Sequence, residues 1–187
     1  MGLLYLSGLL KPLEWRAYDL RLWLTADDTP DPRLAIVAID DRSLSALGKW
    51  PWPREVHARL VRALVAAGAR VVAFDVEFPE ASPDPRADLE LAEAARAAGN
   101  VVVGSYGPVE PTRRAGLYRA RTLPPPAGPL AGAVTVGHIA TAPDPDGVIR
   151  RYLAVIAHPG GIAPSLGLAA LSRYLGTALP SWDESSS

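Results

Sequence analysis

Two uninterrupted apolar runs, each ending in acidic residues and separated by one amphipathic segment, constrain this chain more than any other feature. Leu34-Ala-Ile-Val-Ala-Ile39 ends in Asp40-Asp41, and Arg70-Val-Val-Ala-Phe74 ends in Asp75-Val-Glu77. Residues 54–67 between them have helical periodicity, with Val56, Leu60, Val61, Leu64 and Val65 on the inward stripe and Gly68 as the stop. Runs that are apolar on both faces read as neighbouring parallel strands covered by helices on either side. A right-handed crossover helix brings the carboxyl ends of both strands to one edge of the sheet. Asp40, Asp41, Asp75 and Glu77 are therefore expected to gather at that edge, where ligands of open α/β sheets sit.

A third unit continues the pattern. Residues 87–98 form a small-residue helix ended by Gly99, and Val101-Val-Val103 is a short buried strand. Residues 134–139 and 148–157 read as two more strands, and the turn-rich connector 140–147 makes them an antiparallel pair. A last helix covers 164–175. The predicted fold is α/β: a central mixed sheet with a parallel β-α-β-α-β core, helices on both faces, and a C-terminal antiparallel strand pair plus helix. Residues 106–129, rich in proline, glycine and arginine, show no period and are long for a loop.

The net charge of -1 and an apolar content of 49% argue for a real core and against nucleic-acid binding. The absence of cysteine excludes disulfides, thiolate metal sites and cysteine nucleophiles. Residues 2–10 are uncharged and mostly apolar, but a membrane span needs ~20 such residues. That stretch reads either as a buried helix end or as the outer end of a membrane helix. Pro12 then opens a helix over 13–24, with Leu13, Ala17, Leu20 and Leu24 on one side and Trp15, Tyr18, Leu22 and Trp23 on the other. Two apolar sides call for two partners, a second chain or a membrane surface among them. The organisation expected is an N-terminal juxtamembrane or dimerisation helix at 1–26, a globular domain at 27–178 and a disordered tail at 179–187.

Several residues invite a chemical reading. The Trp50-Pro-Trp-Pro53 loop is stiff, and such a loop serves either in recognition or as an indole plug over a sheet end. Carboxylates at strand ends can hold magnesium at ~2.1 Å, with His57 or His138 as base or ligand, which is the pattern of a metal-dependent hydrolase. The competing reading has Asp41 capping the following turn and Asp75 paired with an arginine. Asp144-Pro-Asp146-Gly147 lacks the further ligands of a calcium loop and reads as a turn. Arg150 and Arg151 either meet an anionic ligand or neutralise nearby carboxylates. There is no serine in a nucleophile elbow and no glycine-rich phosphate loop. No catalytic residue, cofactor or dedicated metal site is assigned.

Taken together, Leu13-Glu-Trp-Arg-Ala-Tyr-Asp-Leu20, Val37-Ala-Ile-Asp-Asp-Arg-Ser43, Gly48-Lys-Trp-Pro-Trp-Pro-Arg54, His57-Ala-Arg-Leu60, Gly68-Ala-Arg-Val-Val-Ala-Phe-Asp75, Gly137-His-Ile139 and Asp144-Pro-Asp-Gly-Val-Ile-Arg-Arg151 resemble the CHASE2 sensory domain of bacterial receptors. The resemblance implies a domain outside the cytoplasmic membrane, flanked by membrane helices and coupled to a cytoplasmic nucleotide cyclase, histidine kinase or Ser/Thr kinase. It transfers no catalytic residue. The expected ligand or switch site combines Asp40, Asp41, Asp75 and Glu77 with Trp50, Trp52, Arg54 and His57, closed over by Asp144, Asp146 and Arg150. The expected partners are a small-molecule or ion ligand, the membrane and a second copy of the chain, with no nucleic acid. The rival classes are the hydrolase and a structural dimerisation module that binds nothing.

Overall fold

The structure is a computed structural model that describes residues 10–180 apart from Asp28 and Ala115. The apolar stretch 2–9 and residues 181–187 of the expected tail lie outside the described residues. The chain divides into two compact units, Met1–Ala46 and Leu47–Ser187.

The first unit holds α1 (Lys11–Thr25), opened by Pro12 in its first turn, and α2 (Asp41–Leu47). No residue of α1 is buried, and Leu13, Leu20, Leu22, Trp23 and Leu24 are all exposed. The first predicted strand is not formed: residues 34–39 belong to no sheet, and Ile36 is 94% exposed. Apolar composition supplies strand propensity, but a strand exists only where a neighbour completes its ladder of hydrogen bonds. The Asp40 carboxylate instead caps α2, accepting from the Ser43 backbone N–H at 2.8 Å and its hydroxyl at 2.6 Å.

The second unit runs α3 (Arg54–Ala66), β1 (Val72–Phe74), α4 (Pro85–Ala98), β2 (Val101–Ser105), β3 (Val109–Pro111), β4 (Tyr118–Ala120), a 3-10 turn (Gly128–Leu130), β5 (Thr135–His138), β6 (Val155–His158), β7 (Gly161–Pro164) and α5 (Leu166–Leu175). The α/β class, the helix-covered parallel core and the closing antiparallel pair with its helix are as expected. The strands that make them differ. The parallel sheet is β1-β2-β5, with Phe74 opposite Val103 and Ser105 opposite His138. A separate four-stranded sheet has the order β3-β4-β6-β7. Residues 134–139 thus pair with β2 rather than with 148–157, of which only Val155–His158 is strand. The antiparallel partner of that strand is β7, across the two-residue turn Pro159-Gly160. Residues 106–129 hold the hairpin β3–β4, hidden in the sequence by strands of three residues each.

Local chemistry explains the helices. Asp84 accepts from the Arg86 N–H at 2.9 Å, Pro85 fills the first turn of α4, and Gly99 closes it in the left-handed conformation. On α3 His57, Ala58 and Val61 are buried and the predicted Leu60 and Leu64 pack partly buried against the core, whereas Val65 is exposed, so the packed stripe takes in His57 and Ala58 beside most of the predicted residues. The main core joins α3 and α4 to the sheet through Ala58, Val61, Phe74, Phe78, Leu91, Ala95, Val101 and Val103. Val102, fully buried, points to the opposite face, where α5 packs. A second cluster of Ala120, Ala140, Ala142, Leu153 and Ile156 supports the mixed sheet.

Helix α5 is fastened at both ends. At its start Gly137 permits close contact: a Cβ there would lie 2.6 Å from Leu166 Cα and 2.7 Å from Leu166 N. At its end Arg173 donates to the Thr135 hydroxyl at 2.7 Å, and Arg70 donates to the Tyr174 carbonyl at 3.1 Å while stacking on the Tyr174 ring. Ser165 is the N-cap, its hydroxyl accepting from the Leu168 N–H at 3.2 Å. Ser165→Ala is expected to cost about 1 kcal/mol, read as a lower urea midpoint at unchanged m-value.

Candidate functional site

The carboxyl edge of the parallel sheet is where the sequence placed a site, and the second unit has a cleft there of about 550 Å³. Asp75, just beyond β1, and His138, the last residue of β5, line it. The first turn of α5 (Ser165, Leu166 and Gly167) and residues 149–153 complete the wall. The cleft is built where two structures meet: β5 ends against Ser165 in an isolated parallel bridge, and the Ser165 N–H donates to the Ala154 carbonyl at 2.8 Å.

His138 is 2% exposed, and neither of its ring nitrogens hydrogen-bonds to a described residue. Burial pushes its pKa down to about 4. The Leu153 backbone opposes that shift without completing a hydrogen bond. The imidazole is therefore neutral at pH 7 and holds one donor and one acceptor in reserve. Tyr152 and Ser165 share a hydroxyl–hydroxyl hydrogen bond beside it. Gly167 makes room for that contact, since a Cβ there would lie 2.7 Å from the tyrosine oxygen. The Asp75 carboxylate makes no hydrogen bond or ion pair with any described residue.

One wall is a charged turn. Arg150 donates to Asp144 at 3.1 Å and to both oxygens of Asp146 at 2.9 and 2.8 Å, and Arg151 donates to Asp144 at 2.7 Å. The Arg150 pairing holds the Asp146 carboxyl below its ordinary pKa. The Asp144 N–H donates to the Val148 carbonyl, which closes the backbone of the turn. The two acids and two arginines of this turn cancel in formal charge.

The predicted site residues divide into separate groups. Asp75 and Arg150 line the cleft, with Asp144 and Asp146 behind Arg150. Glu77 turns to accept the Tyr106 N–H at 2.6 Å. Trp50, Trp52 and His57 form an edge-to-face aromatic cluster with Phe74 and Phe78, over which Arg54 stacks at 4.5 Å. That cluster shares no residue with the cleft lining. Trp52 is buried and its indole N–H donates to the Gly48 carbonyl at 2.8 Å, as a plug requires. His57 is 3% exposed, and burial, helped by the Arg54 charge, lowers its pKa to about 4. Arg54 is held by Asp88 and the Glu80 carbonyl. Asp40 and Asp41 belong to the first unit, at the start of α2. Among the described residues no group of three or more histidine or acidic side chains is placed to hold a metal ion.

Sequence reasoning missed Tyr152 and Ser165 as lining of this cleft, read Arg151 as an anion partner or a neutraliser of nearby carboxylates without placing it in the site, and gave His138 a role only as base or ligand of the hydrolase reading. The signal available was the pair Gly137-His138 at the end of a strand, a glycine where another backbone must approach.

The fold and cleft define an α/β domain with a solvent-open recess at its carboxyl sheet edge, the position at which open α/β sheets take their ligands. The chain belongs to the CHASE2 domain family, whose family model matches residues 1–185. That family comprises extracytoplasmic sensory domains of signalling receptors. No curated protein and no solved structure matches the chain. Among the described residues no helix is long and apolar enough to cross a membrane.

Proposed function

We propose that this chain is the ligand-sensing domain of a bacterial membrane-bound receptor and that the ligand occupies the cleft between β5, α5 and the 144–151 turn. The observation that carries the reading is His138, a buried imidazole with two unanswered nitrogens in the lining of an open recess. Such a group costs stability when left unsatisfied, so its retention fits a site completed by something bound. The domain acts without catalysis: a ligand shifts the equilibrium between two arrangements of this edge by its difference in affinity for them. The output, a nucleotide cyclase, histidine kinase or Ser/Thr kinase, lies on the cytoplasmic side. The exposed apolar helix α1 links the sensor to the membrane and to a second copy of the chain.

A thermal-shift screen of metabolites and ions tests this reading. A ligand at a hundred times its dissociation constant adds ~2.7 kcal/mol, or a Tm rise of roughly 5–10 °C for a domain of this size. That rise should vanish in His138→Leu. Silence across a broad library would instead favour a structural dimerisation module. Calorimetric titration with magnesium, manganese and calcium, run beside a phosphoesterase assay, tests the hydrolase reading.

A further inference from the structure

The sensor reading of the cleft leaves the chemistry of its occupant open, and the inference that follows rests on that reading. We propose that the cleft takes a small zwitterion bearing one ammonium and one carboxylate group, of the α-amino acid class. The argument is one of charge. The two aspartates and two arginines of the 144–151 turn sum to zero, so the formal charge left over in the lining is that of Asp75. Its carboxylate is exposed and uncommitted among the described residues, so it is free to pair with a cationic group.

Other groups of the lining call for an anion. The start of α5, a ten-residue helix with no acidic residue in its first turn, presents a partial positive charge of roughly +0.5. Beside it Arg151 holds Asp144 through one nitrogen, while its side chain is 55% exposed and has donors to spare. His138 is the independent sign that this helix end is a built site: it is almost wholly buried, lines the same cleft and completes a hydrogen bond to the described residues through neither nitrogen, with the Leu153 backbone as a polar neighbour. A ligand carrying a single charge would answer one of these groups and leave the other without a partner. A zwitterion answers both. Ile139, Ile149, Leu153 and Leu166 supply apolar surface for the remainder of the molecule, and about 550 Å³ accommodates a ligand of that size.

Isothermal titration at pH 7.5 with the twenty amino acids tests the proposal. Each amino acid that binds is then compared with its amine, which lacks the carboxylate, and its carboxylic acid, which lacks the ammonium. At least one amino acid should bind, and removing either charged group should weaken binding tenfold or more. Asp75→Asn should lose that tenfold for the amino acid but not for the carboxylic acid. Arg151→Gln should weaken both, and circular dichroism should show each variant folded. Equal binding of the carboxylic acid and the amino acid overturns the zwitterion and leaves an anion site in the same cleft. Binding of some other metabolite, abolished by His138→Leu, also overturns the zwitterion while the sensor reading stands. If no compound of any class binds, both fall.

Discussion

Lowering the pH from 6.5 to 4 is expected to remove several kcal/mol of folding stability from this domain. His57 and His138 are both nearly inaccessible, and burial holds each near a pKa of about 4 in the folded state against the ordinary 6.5. The sign follows from proton counting. Between pH 4 and 6.5 the unfolded chain protonates both rings while the folded chain leaves them neutral, so each proton favours unfolding. The stability from neutral burial is complete above 6.5 and is lost progressively as the pH falls towards 4. Each histidine contributes a slope of about 1.4 kcal/mol per pH unit, large against a total of roughly 5–15 kcal/mol. The lowered carboxyls of Asp31, Asp40 and Asp146 start from 3.8, so they act below this window. Urea midpoints from pH 7.5 to 4.5 should fall steeply, and His57→Leu or His138→Leu should each halve the slope. A flat series would mean that both rings are solvated.

Gly137→Ala should produce the next largest loss. The added Cβ would meet the Leu166 backbone at 2.6 Å, and backbone in the first turn of a helix cannot rotate aside as a side chain does. Overpacking of this kind costs about 2 kcal/mol, a Tm decrease of roughly 4–8 °C. The same substitution pushes α5 away from β5 and so disturbs the cleft beside His138. Gly132→Ala is the control: nothing lies within 4 Å of a Cβ there, and its loss should stay within about 0.5 kcal/mol. Equal stability of the two variants would refute the close contact.

What the sequence made legible was local. The proline, aspartate and glycine signals that bound α4, the stop at Gly68 and the apolar runs of β1 and β2 all depend on a residue and its near neighbours. The edge at which the cleft lies was also legible, because strand polarity follows from a crossover helix. Partner choice was not. The same short apolar composition describes 34–39, which forms no ladder, and 135–138, which is a strand paired to residues more than thirty positions earlier. Whether His57 faces core or ligand turns on a rotation about α3 finer than a hydrophobic stripe defines. The cleft itself depends on β5 meeting the 150s and the start of α5, contacts that leave only Gly137 as a trace in the sequence.

Helix α5 spans about 15 Å at 1.5 Å per residue, with the cleft at one end and the Arg70 and Arg173 contacts at the other. Because a helix is stiff along its axis, an occupant that pressed on Ser165, as the proposed function would have it, would load the whole rod rather than its first turn alone. Arg70 leads into β1, and Arg173 is tied to the first residue of β5, so the load would be carried to the opposite rim of the sheet. The two ends of the rod thus hold different things, the cleft lining at one and the Arg70 and Arg173 hydrogen bonds at the other.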